Sequence, residues 1–232
     1  MRLAQREWGT GSRTLAIVHG INGSAALWEW FALELVERYD FRVIAVDLRG
    51  HGASGRASTY ALDDFAADVV ESLPHDLDVI VGHSLGGRIV ERALPSLDVG
   101  RAIYLDPGFA VGVPRFLRDA PVLQPLLARM LAISAPGVPV QTRPLKRQTT
   151  RDWDRRMSRQ IVLDLADNHV AVAAPLVPST VLLSHRSPLV PAGFARRLRQ
   201  AGWDVRTFER SKHDMYLLDP TGTIDRLDDV LR

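Results

Sequence analysis

Three short stretches hold residue types that could carry covalent chemistry. In VGHSLGGR, residues 81–88, Ser84 has Gly82 two places before it and Gly86 two places after it. A serine hydroxyl attacks carbonyl groups at neutral pH only when a base takes its proton, and histidine is the usual base. SKHDMYLLDP, residues 211–220, offers His213 in a loop after the strand-like run DVRTFE. IVHGINGS, residues 17–24, runs from an apolar segment into a glycine-rich turn, an arrangement that leaves backbone N–H groups free at the start of a helix. Glycines at both ±2 positions suit a serine on a tight strand-to-helix turn. With 17 glycines in the chain the spacing also arises by accident, so it gains meaning only from the elements around it.

Those elements alternate. The runs TLAIVHG, RVIAVDLRG, DVIVGHS, RAIYLDPG and STVLLSH are short, rich in Val, Ile and Leu, and bounded by turn residues, as expected of strands buried on both faces. Between them, Leu62, Phe65, Ala66, Val69 and Leu73 form one apolar helical stripe, with Asp63, Asp64 and Asp68 opposite. Alternation of this kind predicts an α/β fold with a mostly parallel, doubly wound sheet, whose ligands bind outside the carboxyl ends of the strands.

The rhythm breaks between residues 107 and 175. Prolines cluster there at 114, 121, 125, 136, 139 and 144, and Trp153, Met157, Ile161 and Leu165 then follow at four-residue spacing, which predicts one helix. The segment reads as an inserted helical lid dividing a core of residues 1–106 and 176–232. Trp153 and Met157, with Met130, are candidate pocket-lining residues, although a small core within the lid would use the same side chains. The segment carries ten basic residues against five acidic ones, which suits either a positive roof over an anionic substrate or a solvated helix face. Trp28 and Trp30, at the helix after the glycine-rich turn, are expected to pack rather than bind.

Composition narrows the chemistry. A chain of 232 residues with 46% hydrophobic and 24% charged residues reads as one soluble globular domain. A net charge of +2 without a polybasic run points away from nucleic acid. The absence of cysteine excludes thiol nucleophiles, disulfides and thiolate metal sites. No histidine or carboxylate spacing suggests a metal, so no metal or cofactor is expected. MRLAQREWGTGSR lacks a signal-peptide core, and the longest apolar stretch is interrupted by Pro175 and Pro178; no membrane span and a cytoplasmic location are the expectation. The oligomeric state is not legible.

Together, HGINGS, DLRGHGAS, GHSLGG and KHDMYLLDP, in this order and spacing over nearly the whole chain, resemble the α/β-hydrolase family, in particular its serine-nucleophile esterase and lipase-like members. The resemblance implies that Ser84 is the nucleophile and His213 the base. It also implies that the backbone N–H groups of Ile21 and Leu85 form an oxyanion hole, with Asn22 as a further substrate-binding candidate. The chain departs from the family at the triad acid. Where members carry aspartate in a G-x-x-D-x-L-V-P segment, this sequence reads SHRSPLVP, with Ser187 in place of the acid, and 176–203 contains no Asp or Glu. Asp106, at the end of AIYLDPG, is the favoured replacement, since some lipases and haloalkane dehalogenases of the family place their acid after this strand. Asp-Pro is also a common way to leave a strand. Asp47 and Asp214 are weaker candidates, and a Ser-His pair without an acid is a further alternative.

The expected function is a serine hydrolase acting on a small carboxylic ester, lactone or thioester through an acyl-enzyme, with Ser84, His213 and Asp106 as a carboxylesterase-like triad and a small acyl compound as its partner. A catalytically degenerate receptor or interaction module, a carbon-carbon bond hydrolase and an acyl transferase would use the same fold. A dinucleotide-binding reading of Gly20, Gly23 and Asp47 leaves Ser84 and His213 unexplained.

Overall fold

The computed structural model describes residues 1–111, 138–154 and 156–232, with the backbone alone at Ser158 and Arg159. Seven strands form one sheet: β1 (Gln5–Trp8), β2 (Arg13–Val18), β3 (Phe41–Val46), β4 (Asp76–His83), β5 (Asp98–Leu105), β6 (Ser179–Ser184) and β7 (Asp204–Phe208). Their order is β1-β3-β2-β4-β5-β6-β7. All neighbours are parallel except β1, which pairs antiparallel with β3 at the edge.

The five apolar runs of the sequence are β2 to β6, and the strand-like run DVRTFE is β7. β1 carries no such run, because QREW lies at an exposed edge where only one side is hydrogen-bonded. Along β2, Leu15 and Ile17 enter one apolar cluster while Ala16 and Val18 enter the other, so successive side chains feed opposite faces of the sheet. One face is covered by α2 (Leu62–Ser72) and α3 (Leu85–Ala93), and the other by α1 (Glu29–Arg38) with the C-terminal helices. The predicted amphipathic helix is α2, and Phe65 and Val69 from its stripe are fully buried.

The winding direction reverses between β2 and β4: the chain passes from β2 to β3 on one side, then returns to place β4 on the other. Such a switch point opens a crevice at the carboxyl ends of the two strands. The turn after β2 and the turn after β4 therefore face one another across it.

Within the predicted insertion, the described residues form α4 (Arg143–Asp152) and α5 (Met157–Asp167). The single helix expected through Trp153 is broken. Trp153 closes α4 with extended backbone, and the Asp154 N–H bonds the Gly50 carbonyl instead of a helical one. Tyr60 donates to the Asp154 carboxylate at 2.7 Å, which fixes the break against the core.

Candidate active site

Ser84 occupies the turn between β4 and α3 with φ 53° and ψ −116°, in a region of backbone space that costs a non-glycine residue on the order of 1–3 kcal/mol. The strain persists because close packing over-determines it. A Cβ on Gly82 would stand 2.7 Å from the Gly86 carbonyl oxygen, and one on Gly86 would overlap the Val18 carbonyl of β2. The two glycines flanking Ser84 are thus a steric requirement of this turn. The Ser84 N–H bonds the Leu105 carbonyl of β5 at 3.1 Å, and the Ser84 carbonyl accepts from Gly87 and Gly108.

The opposing turn is built as tightly. A Cβ on Gly20 would lie 2.9 Å from the Ser84 Cβ, so the two turns nearly touch. The Gly20 carbonyl accepts from the Gly23 N–H at 2.9 Å and from His19 Nδ1 at 2.7 Å. His19 Nε2 accepts from the Leu48 N–H at 3.1 Å, which leaves Nδ1 as the protonated nitrogen. Burial keeps this imidazole neutral by pushing its pKa well below the ordinary 6.5. Pinning the Gly20 carbonyl fixes the peptide plane it shares with the Ile21 N–H. Leu85 opens α3, so its N–H has no partner inside the helix. Ile21, Leu85 and Ser84 line the same cavity.

His213 lines that cavity from the loop after β7, and its Nδ1 lies 2.7 Å from Asp106 Oδ2. A carboxylate only accepts hydrogen bonds, so the proton sits on Nδ1 and Nε2 keeps its lone pair. Asp106 ends β5 with φ 41° and is fully buried. Its carboxylate also accepts from the Ser184 N–H at 3.2 Å and the Ser184 hydroxyl at 2.8 Å. Burial would raise its pKa, but the His213 bond and charge, with the Ser187 and Ser184 hydroxyls, hold it below the ordinary 3.8. Burial likewise opposes charge on His213, while the Asp106 bond and charge lift its pKa above 6.5.

Ser187, at the family's usual acid position, serves that same carboxylate and accepts from the Leu189 and Val190 N–H groups at 3.2 Å. Asp47 is not available as an alternative acid: its two oxygens accept from the Ala25 and Ala53 N–H groups and tie loops together. Asp214 pairs with Lys146 at 3.7 Å.

The cavity has a volume of about 390 Å³, and its apolar wall includes Ile161, Val162 and Leu165 of α5. Asn22 also lines it, with its side-chain oxygen 3.4 Å from the Thr150 hydroxyl. Trp153 and Met157 are corrected to core residues: both are buried, Trp153 beside His51 and Met157 beside Gly50, and neither lines the cavity. Met157 shares the apolar stripe with Ile161 and Leu165 but stands at the start of α5, where it packs on Gly50, while the two later residues reach the cavity. Met130 and residues 112–137 of the insertion lie outside the described residues. Of the two tryptophans at α1, Trp28 packs as expected, stacked on Tyr216 at 3.7 Å between ring centres, whereas Trp30 is exposed.

Sequence reasoning missed Lys146 and the packing role of His83. His83 is buried, donates from Nε2 to the His213 carbonyl at 3.0 Å, and is held neutral with a pKa of about 4 by burial and by the neighbouring imidazole. His83, His213 and Asp214 bring ligand atoms within 4.8 Å of one another; in this structure His83 bonds the His213 carbonyl, His213 Nδ1 bonds Asp106, and Asp214 pairs with Lys146. Lys146 left no sequence signal, since it sits in a helix whose other cations, Arg143, Arg147 and Arg151, are exposed.

The comparisons agree with this architecture. 2-(Acetamidomethylene)succinate hydrolase of Mesorhizobium japonicum is 40% identical over 87 residues, covering 36% of this chain and 30% of that protein. Pimeloyl-[acyl-carrier protein] methyl ester esterase of Sodalis glossinidius is 27% identical over 186 residues, covering 78% and 64%. The chain therefore matches less than two thirds of the length of either relative. A solved hydrolase from Oleispira antarctica superposes with a TM-score of 0.82 at 16% identity, covering 99% of this chain and 94% of that one, which speaks to the fold alone. The alpha/beta hydrolase family model matches residues 15–226, from β2 to just before the last helix, and the chain belongs to that family.

Proposed function

We propose that this protein is a serine hydrolase that cleaves a small carboxylic ester, lactone or thioester through an acyl-enzyme, with Ser84, His213 and Asp106 as its triad. The observation that carries the reading is the 2.7 Å bond between His213 and the buried Asp106 carboxylate, beside a cavity that also holds Ser84. The Ser84 hydroxyl attacks the carbonyl carbon as its proton passes to His213 Nε2. The carbonyl oxygen becomes an oxyanion that accepts from the Ile21 and Leu85 N–H groups, whose loss individually would cost ~10² to 10³ in rate. Collapse expels the alcohol or thiol, which takes the proton from His213. Water then repeats the sequence against the acyl-enzyme and regenerates the Ser84 hydroxyl. Asp106 holds the imidazole in the tautomer that presents Nε2 and stabilises the imidazolium.

An esterase role agrees with the methyl ester esterase among the relatives. The apolar wall of α5 favours a neutral acyl or alkyl group of modest size, and residues 107–175 act in this reading as the lid that selects it. The arginines of α4 face outward, which speaks against a general positive roof. The degenerate-receptor reading drew on the missing acid at position 187, and the His213–Asp106 bond supports the enzyme reading over it.

The test is labelling with a fluorophosphonate together with hydrolysis of p-nitrophenyl butyrate. Wild-type protein is expected to label and turn over, and Ser84→Ala to do neither while melting at a similar temperature. A folded wild-type protein that is inert to both reagents would overturn the reading.

A further inference from the structure

Lys146 belongs to α4, in the inserted segment, yet its side chain is only 4% exposed and the residue lines the cavity. Nζ donates to the Asn22 carbonyl at 2.8 Å, in the turn after β2, and lies 3.7 Å from Asp214 Oδ2, in the loop that carries His213. One cation thus joins three segments that meet only in the folded chain. A buried ammonium is costly to hold and is kept where its partners compensate it. Asp214 is itself buried and has ligand atoms within 4.8 Å of those of His83 and His213.

The ionisable groups around the His213 imidazole are Asp106 from the end of β5, Asp214 from its own loop, His83 from the end of β4 and Lys146 from α4. His83 is neutral, so two carboxylates and one ammonium set the field. Asp106 is needed to orient the ring. Asp214 is not bonded to the ring, and alone it would only hold a proton on the group that must accept one.

We propose that Lys146 is a positioning residue for the hydrolytic reaction: by pairing with Asp214 and binding the Asn22 carbonyl, it cancels the carboxylate beside His213 and clamps the oxyanion-side turn to the histidine loop. The inference rests on the reading of His213 as the base. It gives the insertion a part in setting the pH at which the imidazole is free to accept a proton, besides covering the cavity.

The direction of each effect follows from charge. Removing Lys146 leaves the Asp214 field uncompensated and favours the imidazolium; removing Asp214 does the reverse. The primary measurement is the imidazole titration of His213 by NMR in Ser84→Ala protein, which needs no turnover. Lys146→Met is expected to raise the His213 midpoint by about half a pH unit or more. Asp214→Asn should lower it, the double variant should return it close to the parent, and Lys146→Arg should leave it nearly in place. In proteins that retain Ser84, the acid limb of kcat/KM for p-nitrophenyl butyrate should move in the same directions. The lost clamp in Lys146→Met should lower kcat about tenfold while KM for this neutral ester stays within about threefold. A midpoint that stays or falls in folded Lys146→Met overturns the proposal. Should Lys146→Met fail to fold, a midpoint that stays or rises in Asp214→Asn overturns it equally. An inert wild-type enzyme would instead remove the hydrolase reading, while the midpoints still decide whether Lys146 and Asp214 act on the ring.

Discussion

In the proposed triad, the charge of the acid and the support for it come from two places in the chain, Asp106 and Ser187. Asp106 carries the charge, and Ser187, with Ser184, supplies hydroxyls that support it. Replacing Asp106 by Asn removes the acceptor that fixes the His213 tautomer, for which the serine-protease example gives a loss of ~10⁴ in kcat. We expect Asp106→Asn to lower kcat by ~10² to 10⁴ and to move the acid limb of the profile to lower pH, since the carboxylate lifts the His213 pKa. Steady-state kinetics on a chromogenic ester between about pH 5 and 9 checks both effects; full activity in this variant would show that the acid lies elsewhere. Because Ser187 already supports the same carboxylate, the double variant Asp106→Asn/Ser187→Asp should recover at least about tenfold over Asp106→Asn alone. Ser187→Asp alone should instead lose activity, as two carboxylates crowded at one site raise the pKa of one of them.

Among the elements, the turn between β4 and α3 has the least tolerance. Gly86 sits where α3 passes over β2, and a methyl group there would overlap the Val18 carbonyl, which cannot move without disturbing the central sheet. Gly86→Ala is expected to destabilise the fold by more than about 2 kcal/mol, read as a lowered urea midpoint, and to abolish labelling of Ser84. At the surface glycine Gly193 an added Cβ meets nothing within 4 Å, so Gly193→Ala should leave the urea midpoint nearly unchanged or raised. Similar losses at the two positions would show that the turn's packing is not what holds Ser84. The helical pair α4 and α5 is legible as helix from its sequence but not as two helices, because the break depends on Gly50 and Tyr60, distant in the chain.

For the whole molecule, the pair of the buried Asp106 with the half-exposed His213 links folding to pH. Asp106 has a lowered pKa when folded, so its stabilisation is present above the ordinary 3.8 and is lost as pH falls through the folded value. His213 has a raised pKa, so its stabilisation is present below 6.5 and is lost as pH rises through the folded value. The pair therefore contributes fully only between about pH 4 and 6.5. The difference in melting temperature between wild type and Asp106→Asn should be largest near pH 5 and shrink toward pH 3 and pH 9; a pH-independent difference would refute the linkage. Among the described residues no helix is long and apolar enough to cross a membrane.

The sequence by itself determined the parallel sheet, since doubly buried strands must be short and apolar, and it determined Ser84 and His213 as candidates, since glycine spacing and motif order are local properties. It also determined that no acid stands between 176 and 203, which no fold can alter. Only the tertiary structure decided that Asp106 meets the imidazole, because that contact joins residues 107 positions apart and depends on β5 lying between β4 and β6. It alone placed Ile161 and Leu165 at the cavity and Trp153 in the core, and buried Lys146 against Asp214. Periodicity marks a helix face as apolar, and composition marks a segment as basic, but which neighbour each face or charge meets is set by packing among segments far apart in the chain.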